Sequence, residues 1–128
     1  MNPDLSLTLL QSKLVVCQLA AAAKIPDWAY TGQFSANVKT QEELSLVCEQ
    51  NLVPAQIKAE RNWRVFKVQG PLEFTQVGVL AALAQPLAKA GVSIFAISTF
   101  DTDYVLVKEQ SLDQAVRVLR QSGFTVSL

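Results

Sequence analysis

The chain of 128 residues contains no histidine. That absence removes imidazole as a general acid or base near neutral pH, every His-containing nucleophile triad and the commonest zinc ligand. Cysteine is nearly absent too: Cys17 and Cys48 form no CxxC pair, and each lies in an apolar, strand-like run. There they read as small buried hydrophobes, with a redox or disulfide role as the open alternative. Two isolated cysteines fit a reducing cytosol. No run of Lys or Arg is present, and the 11 basic residues balance 11 acidic ones. A chain without a basic track has no electrostatic footprint for nucleic acid or for an anionic membrane surface. The longest apolar run, residues 14–23, is interrupted by Gln18 and stopped by Lys24, too short to cross a bilayer. The first ten residues, MNPDLSLTLL, carry an early acid and no basic n-region. No targeting segment is therefore expected, and the expected location is cytoplasmic. Neither a phosphate-cradling glycine loop nor a paired Ser–Lys constellation occurs, so an enzyme is not expected, and no cofactor or metal is implied.

Half of the residues are apolar and 17% are charged, a composition that folds rather than stays disordered. Strands are expected at 5–10 and 13–19, joined by Gln11-Ser12 as a hairpin. Pro26 stops any helix begun by the alanines at 20–23 and instead opens a short turn, PDWAY. Residues 34–39 alternate apolar and polar, as do 44–49, giving a second hairpin through Thr40-Gln41-Glu42. Asn51–Ala55 is expected as a loop or a single helical turn, 57–61 as a short extended piece and 63–69 as a strand.

The second half is more regular. Leu80, Leu83, Ala84 and Leu87 recur at i, i+3, i+4 and i+7, which predicts a helix over 75–90. Pro86 falls inside it, Gly91 closes it as a left-handed cap, and Gly78 is expected in its interior at a cost of about 1 kcal/mol against Ala. Strands are expected at 92–98 and 103–108. Ser111 with Gln114 reads as a capping box opening a helix whose stripe is Leu112, Ala115, Val116 and Leu119, ended by Gly123 before a last strand. The order is βαββαβ, preceded by a shortened relative of itself, with no Gly- or Ser-rich linker between them.

Three segments of this half, GPLEFTQVG (70–78), GVSIF (91–95) and STFDTDYVLV (98–107), resemble the ACT domain, a ferredoxin-like module that binds amino acids and regulates metabolic enzymes. FSANVKTQEELSLVCEQ (34–50) is similar to the first half of a paired ACT module. Within that family the chain looks most like the CASTOR-type cytosolic arginine sensors and their short bacterial relatives. The resemblance implies an α+β fold of two tandem ferredoxin-like (βαββαβ) ACT modules, residues 1–62 with reduced helices and 63–128. It also implies a non-catalytic regulatory or sensor protein working as a homodimer, with a free amino acid bound between modules at the dimer interface. By motif the ligand-binding residues are Phe74, Thr75, Gln76 and Gly78 in the strand–helix loop, Thr99, Phe100, Thr102 and Asp103 in the hairpin segment, and Ser93 and Ile94 from the facing module.

The charges of a free amino acid must be paired or hydrogen-bonded once buried. Backbone N–H groups at the start of the helix suit its carboxylate, strand-edge carbonyls near Ser93 and Ile94 its ammonium, and Asp103 a basic side chain. Two departures bear on which amino acid is taken. The sensors carry a glutamate where Gln76 stands and a glycine where Glu73 stands, so the second negative charge toward a basic ligand is missing. Plainer roles stand beside these: Asp101 and Asp103 as solvated turn residues, Ser98 and Thr99 as caps of a strand end, Glu73 as an early-helix or loop acid favoured by the helix dipole, Trp28 and Trp63 as core or interface anchors, and Lys24, Lys58, Arg61 and Arg64 as a solvated face. The alternative function is a protein-interaction module that has lost its ligand and acts on a protein partner. A small enzyme on a ferredoxin-like scaffold is less favoured.

Overall fold

The computed structural model describes residues 5–69 and 78–128. The chain divides into two compact units, Met1–Gln11 with Arg64–Leu128, and Ser12–Trp63. The first residues thus group with the second half, whereas modules of 1–62 and 63–128 follow from motif order alone.

The larger unit holds β1 (Ser6–Leu9), the end of β5 (Ala59–Val68), α1 (Val79–Lys89), β6 (Ile94–Ser98), β7 (Asp103–Lys108), α2 (Leu112–Gln121) and β8 (Thr125–Ser127). From β5 onward this is the expected βαββαβ order. Its strands lie in the order β6, β7, β5, β1, β8. β1 runs antiparallel to β5, with Leu7 opposite Val68 and Leu9 opposite Phe66, and parallel to β8, with Leu7 opposite Val126. The hairpin expected between the first two strands does not form. Gln11-Ser12 lacks the left-handed residues that two-residue hairpins favour, and the alternating leucines of β1 are buried with the helices instead.

That burial makes the core. Leu5, Leu7 and Leu9, Phe66 and Val68, Val105 and Val107, and Phe124 and Val126 share one apolar cluster with Val79, Leu83 and Leu87 of α1 and Ala115 and Leu119 of α2. The period of two on the strands and of 3.6 on the helices therefore converges on a single layer contact. Each large side chain so buried contributes roughly 1.5–3 kcal/mol.

Both helices stop in the same way. After α1, Gly91 N–H donates to the Ala88 carbonyl (3.0 Å) and Val92 N–H to the Leu87 carbonyl (2.9 Å), with Gly91 at φ 77°. After α2, Gly123 N–H meets Arg120 O (3.1 Å) and Phe124 N–H meets Leu119 O (3.1 Å), with Gly123 at φ 100°. These are Schellman closures, and in each the residue after the glycine packs in the same core as the helix it ends.

Two helix-start expectations are corrected. Gly78 is not interior: it is the N-cap of α1, at φ 84°. No described atom lies within 4 Å of where its Cβ would be, so the left-handed backbone, not crowding, accounts for glycine. The capping box at Ser111 is not made. A 3-10 turn, Glu109–Ser111, winds straight into α2, Ser111 makes no side-chain cap, and the Gln114 amide donates to the Ala90 carbonyl (3.1 Å).

The smaller unit holds β2 (Leu14–Leu19), β3 (Ser35–Lys39), β4 (Leu44–Glu49) and the start of β5, with 3-10 turns at Asp27–Ala29 and Gln50–Leu52 in place of helices. Pro26 is the N-cap of the first of these, so PDWAY is a turn. β4 lies between β3 and β2, antiparallel to both, and β2 pairs antiparallel with β5. The two extended pieces expected at 57–61 and 63–69 are one strand, with a bulge where Asn62 takes φ 68°. Asn tolerates this conformation better than most residues. Here the Gln50 side chain locks it, accepting from Asn62 N–H (2.6 Å) and donating to its Oδ1 (3.0 Å).

Two of the four basic residues read as a solvated face do structural work. Arg61 reaches the carbonyls of Pro54, Ala55 and Ile57 at 3.3–3.4 Å. Arg64 reaches the Leu10 carbonyl at 3.4 Å and Glu109 at 3.9 Å.

Candidate functional site

The hairpin from β6 to β7 turns through Thr99-Phe100-Asp101-Thr102. Thr99 N–H donates to the Thr102 carbonyl (2.8 Å), Thr102 N–H to Thr99 Oγ1 (3.2 Å), and the Thr99 hydroxyl back to the Thr102 carbonyl (3.1 Å). Thr99 thus satisfies the strand end with its own side chain. Thr102 is the buried polar side chain among the described residues, 5% exposed, and its hydroxyl donates to the Val68 carbonyl (2.6 Å). That bond ties the start of β7 to the end of β5, where the chain leaves the sheet toward α1. The hairpin turn and the end of β5 therefore belong to one end of the sheet.

Asp103 opens β7 opposite Ser98, half-buried, while Asp101 and Phe100 are at the exposed tip, Phe100 at 82%. Gly78 opens α1, whose first intrahelical bond is Ala82 N–H to Gly78 O (2.9 Å). The N–H groups ahead of Ala82 have no helical acceptor, the arrangement that favours an anionic group. Gly78 also borders a groove of about 460 Å³ that runs along Ala82, Gln85 and Lys89 to Phe124 and does not include the hairpin residues. Phe74, Thr75 and Gln76, with Glu73, lie outside the described residues.

Ser93 and Ile94 fall elsewhere. They stand at the start of β6, where Ile94 faces Val107, and the turn is at the other end of that strand. At about 3.3 Å per residue, Ile94 and Thr99 are roughly 17 Å apart along the chain. Among the described residues, one copy does not bring Ser93 and Ile94 to the hairpin residues.

Sequence reasoning missed the bond from Thr102 to Val68. A threonine at both ends of a four-residue turn was the available signal, since only one of the two is needed to close the turn. Among the described residues, no three His, Cys, Asp or Glu side chains gather as metal ligands, and no helix is long and apolar enough to cross a membrane.

A family model for the ACT domain matches residues 58–121. The chain belongs to the ACT domain family. A second family model, for an N-terminal domain, matches residues 12–56, so the ACT match falls mostly in the larger unit and the second match in the smaller. The human cytosolic arginine sensor for mTORC1 subunit 1 is 42% identical over 64 residues, which span 48% of this chain and 20% of the sensor. The aligned stretch thus covers about a fifth of that relative. A crystal structure of an Agobacterium tumefaciens protein superposes with a TM-score of 0.91 at 33% identity, covering 97% of this chain and 92% of that one. The regulatory subunit of aspartate kinase from Thermus flavus superposes with a TM-score of 0.63 over 91% of this chain and 96% of its own, at 11% identity, a likeness of fold. The ACT fold agrees with these relatives.

Proposed function

We propose that this ACT protein is a non-catalytic sensor that binds a free amino acid between modules contributed by two copies of the chain, in the cytoplasm. The observation that carries the reading is the geometry of the larger unit. The hairpin from Thr99 to Asp103 is tied at Thr102 to the end of β5, while Ser93 and Ile94 are at the opposite end of β6. A site using all of them takes its last two residues from a second copy, which makes homodimerisation part of binding. The open N–H groups of α1 receive the carboxylate, backbone carbonyls at Ser93 and Ile94 of the facing copy receive the ammonium, and Asp103 faces the ligand's side chain. The arginine sensor among the relatives supports a basic ligand, and Asp103 supplies the charge for it.

A thermal-shift screen of the twenty amino acids tests this. The ligand stabilises the dimer by about 2.7 kcal/mol when present at about 100 times its Kd. Asp103→Asn lowers affinity for arginine or lysine about tenfold and leaves neutral amino acids unaffected. No shift with any of the twenty, on a folded dimer, rejects the proposal. The second reading, a protein-interaction module, is favoured by one observation, the exposed Phe100 at the hairpin tip. It is the outcome if Phe100→Ala abolishes capture of a partner while no amino acid binds.

A further inference from the structure

The two cysteines, isolated in sequence, meet in the smaller unit. In the pairing of β2 with β4, Cys17 stands opposite Leu46 and Cys48 opposite Val15. Positions 15 and 17 share one face of β2, and 46 and 48 the matching face of β4, so the cysteines are diagonal neighbours on one face. All four residues lie in one apolar cluster, each cysteine is 1% exposed, and both thiols are free. The thiols are hydrogen-bonded to each other, and the pair is asymmetric. The bond from Cys48 holds the Cys17 thiol below its ordinary value, against the opposing effect of burial and with help from the Arg61 charge, while the Cys48 thiol is held up. Cys17 is the better thiolate and Cys48 keeps its proton.

We propose that Cys17 and Cys48 are a paired modification site, a buried dithiol that hydrogen peroxide converts into one intramolecular disulfide. The Cys17 thiolate attacks the peroxide, the O–O bond breaks, Cys17 becomes a sulfenic acid and hydroxide leaves. The Cys48 sulfur then attacks the Cys17 sulfur, the S–S bond forms, the S–O bond breaks and water leaves with the Cys48 proton. Over both steps two thiols and one peroxide give one disulfide and two waters. Diagonal neighbours lie roughly 7–8 Å apart at Cα, and a relaxed disulfide spans up to about 7 Å. Closure therefore draws β2 toward β4 by about 1 Å and leaves a bond that thiols readily reduce. The site is reached through opening of the smaller unit, whose core contains no α-helical residue among those described.

The test uses the unaltered chain. After hydrogen peroxide, the protein is denatured, its thiols are alkylated and the products are weighed. Both thiols disappear together with a loss of about 2 Da, the chain stays monomeric on a non-reducing gel, and dithiothreitol restores both thiols. Cys17→Ala and Cys48→Ala each abolish the 2-Da loss. Retention of two alkylatable thiols while a control dithiol peptide oxidises overturns the proposal. So does oxygen addition to one cysteine with the other intact, or a disulfide between chains. Because the count is made on the native sequence, it decides the matter even if an alanine variant does not fold.

Discussion

The two units solve the same turn with the same chemistry and then part. In the smaller unit Thr40 N–H donates to the Glu43 carbonyl (2.9 Å) and Glu43 N–H to Thr40 Oγ1 (3.2 Å). In the larger unit Thr99 and Thr102 repeat both bonds at 2.8 and 3.2 Å. Each hairpin then runs into a 3-10 turn, Gln50–Leu52 or Glu109–Ser111. In the larger unit the next residue, Leu112, is helical and α2 follows. In the smaller, Val53 is extended before Pro54, as a residue preceding proline prefers. The fourth turn residue also differs in depth. Glu43 accepts from the Gln18 amide at the exposed surface (3.1 Å), whereas Thr102 donates to Val68 in the core (2.6 Å). A local turn can be repeated cheaply in sequence, but whether it becomes a rigid element depends on what is packed behind it.

Substitutions break or sharpen that contrast, and urea denaturation reads each of them. Leu87→Ala, in the helical core that the smaller unit lacks, costs about 2–5 kcal/mol. Next is Thr102→Val, which strands the Val68 carbonyl and costs about 1–3 kcal/mol. Gly91→Ala forces a left-handed backbone on a residue with a Cβ and costs about 1–2 kcal/mol. Smallest is Glu43→Gln at the corresponding half-buried turn position, within about 0.5 kcal/mol of the parent. Equal effects from Thr102→Val and Glu43→Gln would show that the two hairpins are equivalent in depth as well as in form.

Much of the fold was legible. The 3.6-residue stripe of Leu83 and Leu87 and the glycines at 91 and 123 announced the helices and their ends, because periodicity and left-handed caps are local requirements. Pro26 announced the short turn in the same way. The misplaced features were those with a distant competitor. The Ser111 capping box lost to a 3-10 turn that already supplied helical geometry, and Gln114 went to Ala90 instead. The β1 strand left its neighbour in sequence for β5 and β8. Of the candidate site, Thr99 and Thr102 were named as ligand contacts, and the structure gives both hydroxyls backbone partners within the unit.

The sequence by itself determined what this protein lacks, histidine chemistry and a basic surface, and the ferredoxin-like order of its better-formed half, since composition and period need no partner. Tertiary structure alone decided three further things. It inserted β1 between β5 and β8, where its leucines find an apolar layer. It buried Thr102 against Val68, joining the hairpin to the end of β5. And it brought Cys17 beside Cys48, because strand register is set by pairing across the sheet and leaves no mark in the spacing of either residue along the chain.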